Sequence, residues 1–270
     1  MIHPTALVSS HAQVDPSCEI GPYAIVDADV ILGANCRLGP YVHLTGHTTI
    51  GSGNIFHTGC VIGDSPQDMK YMGEPTRLSI GDHNIFREHV TIHCSNKMTE
   101  DTVVGSHNFL MAHTHVGHNS LLGDRIMVAN GAQIAGHVTI GDSVFISGNC
   151  GIHQFVRIGR FALMQGGSIA TQDLAPATMM RGVNELCGLN IIGLRRAGVI
   201  SIERLELKRL YHHLFRSGRN ISTAAQEAAG LFTTPLAIET LHFIATTQRG
   251  VCSGTSTSPE ALGTEPETVD

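Results

Sequence analysis

Three histidines fall within six residues in MAHTHVGHNS: His113, His115 and His118. Imidazoles at this spacing can ligate zinc or move a proton near neutral pH. The chain holds 17 histidines, so the stretch can equally be a solvated or interface cluster. His93, His137 and His153 carry the same chemistry, and Asp68 and Lys70 set an acid beside a base upstream. Which of these groups meet depends on the backbone between them.

The 270 residues are 42% hydrophobic, enough for a sizeable core, while charged residues make up only 15%, against roughly 25% in ordinary globular chains. Thirty glycines, 5% aromatics and no Trp favour many tight turns over an aromatic-rich core. A net charge of −6 argues against a general nucleic-acid surface. The seven cysteines contain no CxxC pair and read as free thiols in a reducing compartment. MIHPTALVSSHAQ has no basic segment followed by an apolar run, so no signal peptide is expected. No apolar stretch approaches the ~18 residues of a membrane span. A soluble, cytoplasmic protein is the expectation.

A period of six organises the chain. Stepping from Ile2 gives Val8, Val14, Ile20, Val26, Leu32 and so on to Ile62; the series resumes at Ile80, Phe86 and Ile92, then runs from Val104 to Met164. Glycine often follows the aliphatic residue, as at Gly21, Gly33 and Gly39. A helix would show spacings of three and four, and a simple strand would alternate. Period six is the mark of a hexapeptide β-helix. Three units make one coil, and roughly eight coils at ~4.8 Å give a prism ~40 Å long. Residues 64–79 and 94–103 interrupt the series without shifting it. They read as loops extruded from a stiff wall, where function is often placed.

The expected architecture is mainly β: a parallel β-helix over residues 1–185, a small α-helical C-terminal domain over 186–250, and a disordered tail over 251–270. The apolar face of a helix over 200–218 would carry Ile202, Leu205, Leu210, Leu214 and Phe215. Further helices are expected over 223–232, capped by Ser222, and over 236–246 after Pro235.

Coiling the chain places residues eighteen apart above one another. His118 then lies under Gly136 and beside His137, and Gly136 lies under Gln154 and beside His153. His115 is half a unit away and His93 one coil below. Three readings compete for this stripe: solvated histidines, a zinc site and a general base. Trimeric β-helical carbonic anhydrases use two zinc-ligating histidines five residues apart. His113 and His118 have that spacing, with His89 as the substitute third ligand.

Longer motifs single out a family. QDMKYMGEPTR (67–77), TIH (91–93), HVGH (115–118), AGH (135–137), HQF (153–155), GLNIIGLRRAG (188–198) and FRSG (215–218) occur in order. With them the chain resembles the acyl-carrier-protein–UDP-N-acetylglucosamine O-acyltransferases, over about residues 1–250. The resemblance implies a left-handed β-helix, a cytoplasmic homotrimer and no cofactor or metal. It implies transfer of a 3-hydroxyacyl chain from acyl carrier protein to the glucosamine 3-position of UDP-N-acetylglucosamine, the first step of lipid A synthesis. By resemblance His118 is the general base and the Gly136 N–H the oxyanion donor. Asp68, Lys70, His93, His115, His137, His153, Gln154, Gly166, Asn190 and Arg196 would bind substrate. Residues 193–219 carry seven basic side chains against two acidic ones. Arg195, Arg204, Lys208, Arg209 and Arg216 would therefore receive the acidic carrier.

Three positions depart from the family pattern. Asn119 stands where an Asp usually orients the catalytic histidine. Ile192 replaces a Glu and Ala197 an Arg near the nucleotide end, which leaves another nucleotide sugar open as the acceptor. A neutral amide stabilises imidazolium less than a carboxylate does. Either catalysis is slow, and Asn119→Asp raises kcat, or a carboxylate elsewhere compensates and the substitution brings no gain. A protein that binds the carrier without turnover is the remaining reading.

Overall fold

The computed structural model describes residues 1–254. Its backbone is a three-walled parallel β-helix. The first wall stacks nine strands, from Leu7–Val8 to Ile169–Ala170. The second stacks eight, from Gln13–Val14 to Arg157–Ile158. The third stacks ten, starting at Glu19–Ile20 and ending in Glu185–Leu189, which pairs antiparallel with Thr178–Arg181.

Most strands have two residues, and the second of each pair points inward. Val26, Leu44, Ile62, Ile92, Val116, Ile134 and Ile152 are buried in one column behind the first wall. Each such side chain gains about 1.5–3 kcal/mol on burial, but only because a neighbour above or below covers it. Stability is thus shared along the stack. Buried Asn54, Asn84 and Asn108 add an amide ladder: Asn84 Nδ2 donates to Asn54 Oδ1 at 3.0 Å, and the Asn108 N–H donates to Asn84 Oδ1 at 2.8 Å.

The corners require positive φ, and histidine fills five of them: His83, His89, His107, His113 and His137. Asn and His tolerate this region better than most side chains. Five of the 17 histidines therefore serve the corners, where His83 stacks on His107 and His89 on His113, each at 5.2 Å.

Both interruptions leave from the edge between the first and second walls. Ile62 pairs with Ile92 and Ile92 with Val116, so the insertions lengthen those coils by multiples of six and preserve the register. Arg77–Ser79 and Thr102–Val103, expected in the loops, extend the second wall, because their backbones join its ladder. The extruded segments are 65–76 and 94–101.

Four helices follow: α1 (Ile191–Arg196), α2 (Ser201–Phe215), α3 (Ile221–Ala228) and α4 (Pro235–Ala245). α2 packs on α3 and α4 through Leu207, Leu210 and Leu214. Ile202 and Leu205, expected on its buried face, are exposed instead. Asn220, not Ser222, caps α3, accepting from the Ser222 N–H at 2.9 Å. Arg157 locks the helices to the prism. Its Nε donates to buried Asp173 at 2.8 Å, and another guanidinium nitrogen donates to the Phe243 carbonyl at 2.8 Å. The disorder expected from residue 251 does not begin there: Val251 and Ser253 bridge to Asp173 and Glu185, and Cys252 is buried. The rest of that expected tail, 255–270, lies outside the described residues. All seven thiols are unpaired. Among the described residues, no helix is long and apolar enough to cross a membrane.

Candidate active site

The opening histidines go to different places. His113 stands on the edge between the third and first walls, stacked on His89. His115 lies on the first wall, and His118 on the edge between the first and second walls. Among the described residues no three His, Cys, Asp or Glu converge as a metal site, and the expected trio of His89, His113 and His118 is split between two edges.

That first-to-second edge gathers the chemistry. A cleft of about 390 Å³ is lined by His93, His115, His118, Gly136, His153 and Gln154, among others. Both loops emerge on this edge in the coils just below His118. Buried His118 donates from Nδ1 to the Asn119 side-chain oxygen at 2.9 Å. That oxygen also accepts from the Asn96 N–H at 3.0 Å, so it is the acceptor end of the amide and Nδ1 must carry the proton. The basic nitrogen left is Nε2.

Gly136 sits against the imidazole. A Cβ there would lie 2.7 Å from His118 Cε1 and 2.8 Å from Nε2, closer than atoms approach. Only glycine lets the ring lie flat over the next coil. Among the described residues no hydrogen bond engages the Gly136 N–H, which leaves a donor free beside the cleft.

Asp68 comes from the first loop and is held by the second. Its oxygens accept from the Lys70 N–H at 3.0 Å and from Asn96 Nδ2 at 2.7 Å. The Lys70 N–H first, then the Asn96 amide, keep its carboxyl below the usual range, and nearby His118 and Lys70 add to this. The Lys70 side chain is exposed.

Burial disfavours the charged form of three neighbouring imidazoles. Burial pushes His115 down to about 4, with His93 and His118 adding repulsion. Burial also lowers His93 and His137. His115 is fixed by Thr91 Oγ1 at 2.9 Å from Nδ1. Buried His93 has no partner for its Nδ1 among the described residues, and the residue lines the cleft. His137 meets His118 edge-on at 5.1 Å and stacks on Phe155; it stands behind the base and is not part of the cleft lining. His153 and Gln154 are exposed at the rim.

Other expected residues lie elsewhere in this chain. Gly166 is exposed on the third-to-first edge. Asn190 caps α1, accepting from the Gly193 N–H at 2.9 Å and donating to the Phe161 carbonyl at 2.9 Å. Arg196, Ile192 and Ala197 are exposed at α1. Arg195, Arg204 and Lys208 line a second groove of about 400 Å³, whereas Arg209 and Arg216 lie outside its lining. Glu203 and Glu206 are outside this lining; they accept from the Leu236, Thr233 and Thr234 N–H groups at the start of α4. Gln67, Gln133 and Thr171 also line the cleft, though the sequence reading named none of them; Gln67 directly precedes Asp68 in the QD motif, while the other two carry no local signal.

The coiled walls and the imidazole cleft on one edge define a hexapeptide-repeat transferase. Residues 29–64 match the bacterial transferase hexapeptide model, and 173–252 match domain 2 of UDP-N-acetylglucosamine O-acyltransferase. The chain belongs to the acyl-[acyl-carrier-protein]–UDP-N-acetylglucosamine O-acyltransferase family. It is 43% identical to the member from Anaeromyxobacter dehalogenans strain 2CP-1, over 93% of this chain and 98% of that one. The UDP-N-acetylglucosamine acyltransferase of Francisella novicida superposes with a TM-score of 0.91 at 32% identity, covering 98% of this chain and all of that one. The Moraxella catarrhalis O-acyltransferase gives 0.89 at 37%, covering 93% and 99%. These likenesses extend through the helices, and the prism is of the left-handed kind.

The burial of His115 predicts a pH signature. The folded chain resists protonation there down to about 4, whereas the unfolded chain takes the proton near 6.5. The unfolded state therefore binds more protons in this window, and stability falls as pH drops from 6.5 towards 4. NMR titration is expected to show the His115 ring neutral at pH 5.5, and His115→Gln is expected to flatten the stability profile across that window.

Proposed function

We propose that this enzyme transfers a 3-hydroxyacyl chain from acyl carrier protein to the 3-hydroxyl of UDP-N-acetylglucosamine, the step that opens lipid A synthesis. The observation that carries the mechanism is the His118–Asn119 pair, with a free Nε2 lying against Gly136 in the cleft.

A sugar hydroxyl is a poor nucleophile at neutral pH. His118 Nε2 takes its proton as the oxygen attacks the thioester carbonyl. The resulting oxyanion sits at the unengaged N–H of Gly136. Collapse of the tetrahedral intermediate breaks the C–S bond, and the imidazolium returns the proton to the departing thiolate. Asp68 and Lys70 hold the sugar from the loop, with His93 and His115 as neutral hydrogen-bonding partners. His153 and Gln154 position the acyl and nucleotide groups at the rim. The groove of Arg195, Arg204 and Lys208, free of carboxylate partners, receives the acidic carrier protein.

The active form in this reading is a cytoplasmic homotrimer with each site between two prisms. A neighbour would then supply groups that this chain places away from its own cleft, such as Gly166 and Arg196.

A thiol-release assay with 3-hydroxyacyl carrier proteins and UDP-N-acetylglucosamine tests the reading. Turnover is expected, and His118→Ala is expected to lower kcat by about 10²–10⁴-fold with folding unchanged. A folded protein that binds the carrier but releases no thiol would sink it.

A further inference from the structure

Asn119 is wired for an amide at both ends. Its Oδ1 accepts from His118 Nδ1 and from the Asn96 N–H. Its Nδ2 donates to Ser95 Oγ at 2.7 Å and to Glu100 Oε2 at 3.4 Å. The Ser95 hydroxyl gives its own hydrogen to the Lys97 carbonyl at 3.0 Å, so it offers Asn119 only lone pairs. Glu100 returns to this point because Lys97 and Glu100 bridge across a turn, closed by their side chains at 3.2 Å. At Nδ2 the shell thus consists of acceptors, one of them a carboxylate.

From this we infer that Glu100 is a positioning residue for the reaction, acting on His118 through the Asn119 amide. The inference rests on His118 being the base. A carboxylate at the N–H end of an amide draws its dipole into line and enriches the oxygen at the other end. Asn119 then presents His118 with a stronger acceptor than an isolated amide would. The negative charge needed opposite a forming imidazolium is present, but one residue removed. The same shell explains why Asn stands at 119. An Asp there would turn an oxygen towards the lone pairs of Ser95 and the charge of Glu100, and like charges at that separation oppose each other. The other charged or titratable groups around the base are Asp68, His93, His115 and His137, with Lys97 behind Glu100.

The test is the pH dependence of kcat for the full-length enzyme and for Glu100→Gln, Asn119→Asp and the double variant. Glu100→Gln keeps an acceptor for Asn119 and removes the charge. It is expected to lower kcat at neutral pH by about fivefold with both KM values unchanged. The acid limb moves to lower pH, because imidazolium loses stabilisation. Asn119→Asp is expected to lower kcat, and adding Glu100→Gln to restore most of that loss. A merely structural Glu100 would scale kcat equally at every pH. That result, an unchanged Glu100→Gln enzyme, or a double variant no better than Asn119→Asp would each overturn the inference. Failure of the base reading is separate: His118→Ala would then keep the wild-type rate.

Discussion

The parallel ladder between successive coils places the wall and corner groups of the cleft. Each coil hands its hydrogen bonds to the next at a spacing of ~4.8 Å, and the buried aliphatic columns lock the register. A chemical group is therefore set by two choices: its position within the six-residue unit and the coil it occupies. His118 meets Gly136 because the two share a unit position on successive coils. The insertions obey the same rule, since adding residues in sixes moves no side chain from its wall.

The ladder also explains why the site lies on one edge. Corners are where the backbone turns outward, and where a loop can leave without breaking strand pairing. Both loops leave from the edge that presents His118, in the coils beneath it. Asp68 from the first loop and Asn96 from the second are joined by a 2.7 Å hydrogen bond. The Asn96 N–H in turn reaches Asn119. A rigid wall thus holds the base, while the flanking loops hold its orienting group and the acid beside it. Such preorganisation reduces the rearrangement needed as charge develops.

Much of this was legible in the sequence, for physical reasons. The aliphatic at every sixth residue is the buried one, so the period and the loop positions could be read directly. Stacking by eighteen alone brings His118 to Gly136. What could not be read depends on side-chain direction or on contacts remote in sequence. His113 looked equivalent to His118, yet it fills a left-handed corner on another edge. Asn190 fits a family motif, but here it caps α1. The apolar residues Ile202 and Leu205 suggested a buried face that α3 and α4 do not cover. Asn119 stood out as a departure, but the carboxylate behind it could not be found, because Glu100 reaches it only through the turn of the second loop.

The imidazole works because it lies flat over Gly136. The most direct measurement is kcat of Gly136→Ala alongside its melting temperature. Gly136 is not at positive φ, so alanine suits the backbone, and the three atoms nearest its methyl all belong to the His118 ring. A loss of about a hundredfold in kcat is expected, with melting temperature and KM values near wild type. Full turnover in a folded Gly136→Ala enzyme would contradict it.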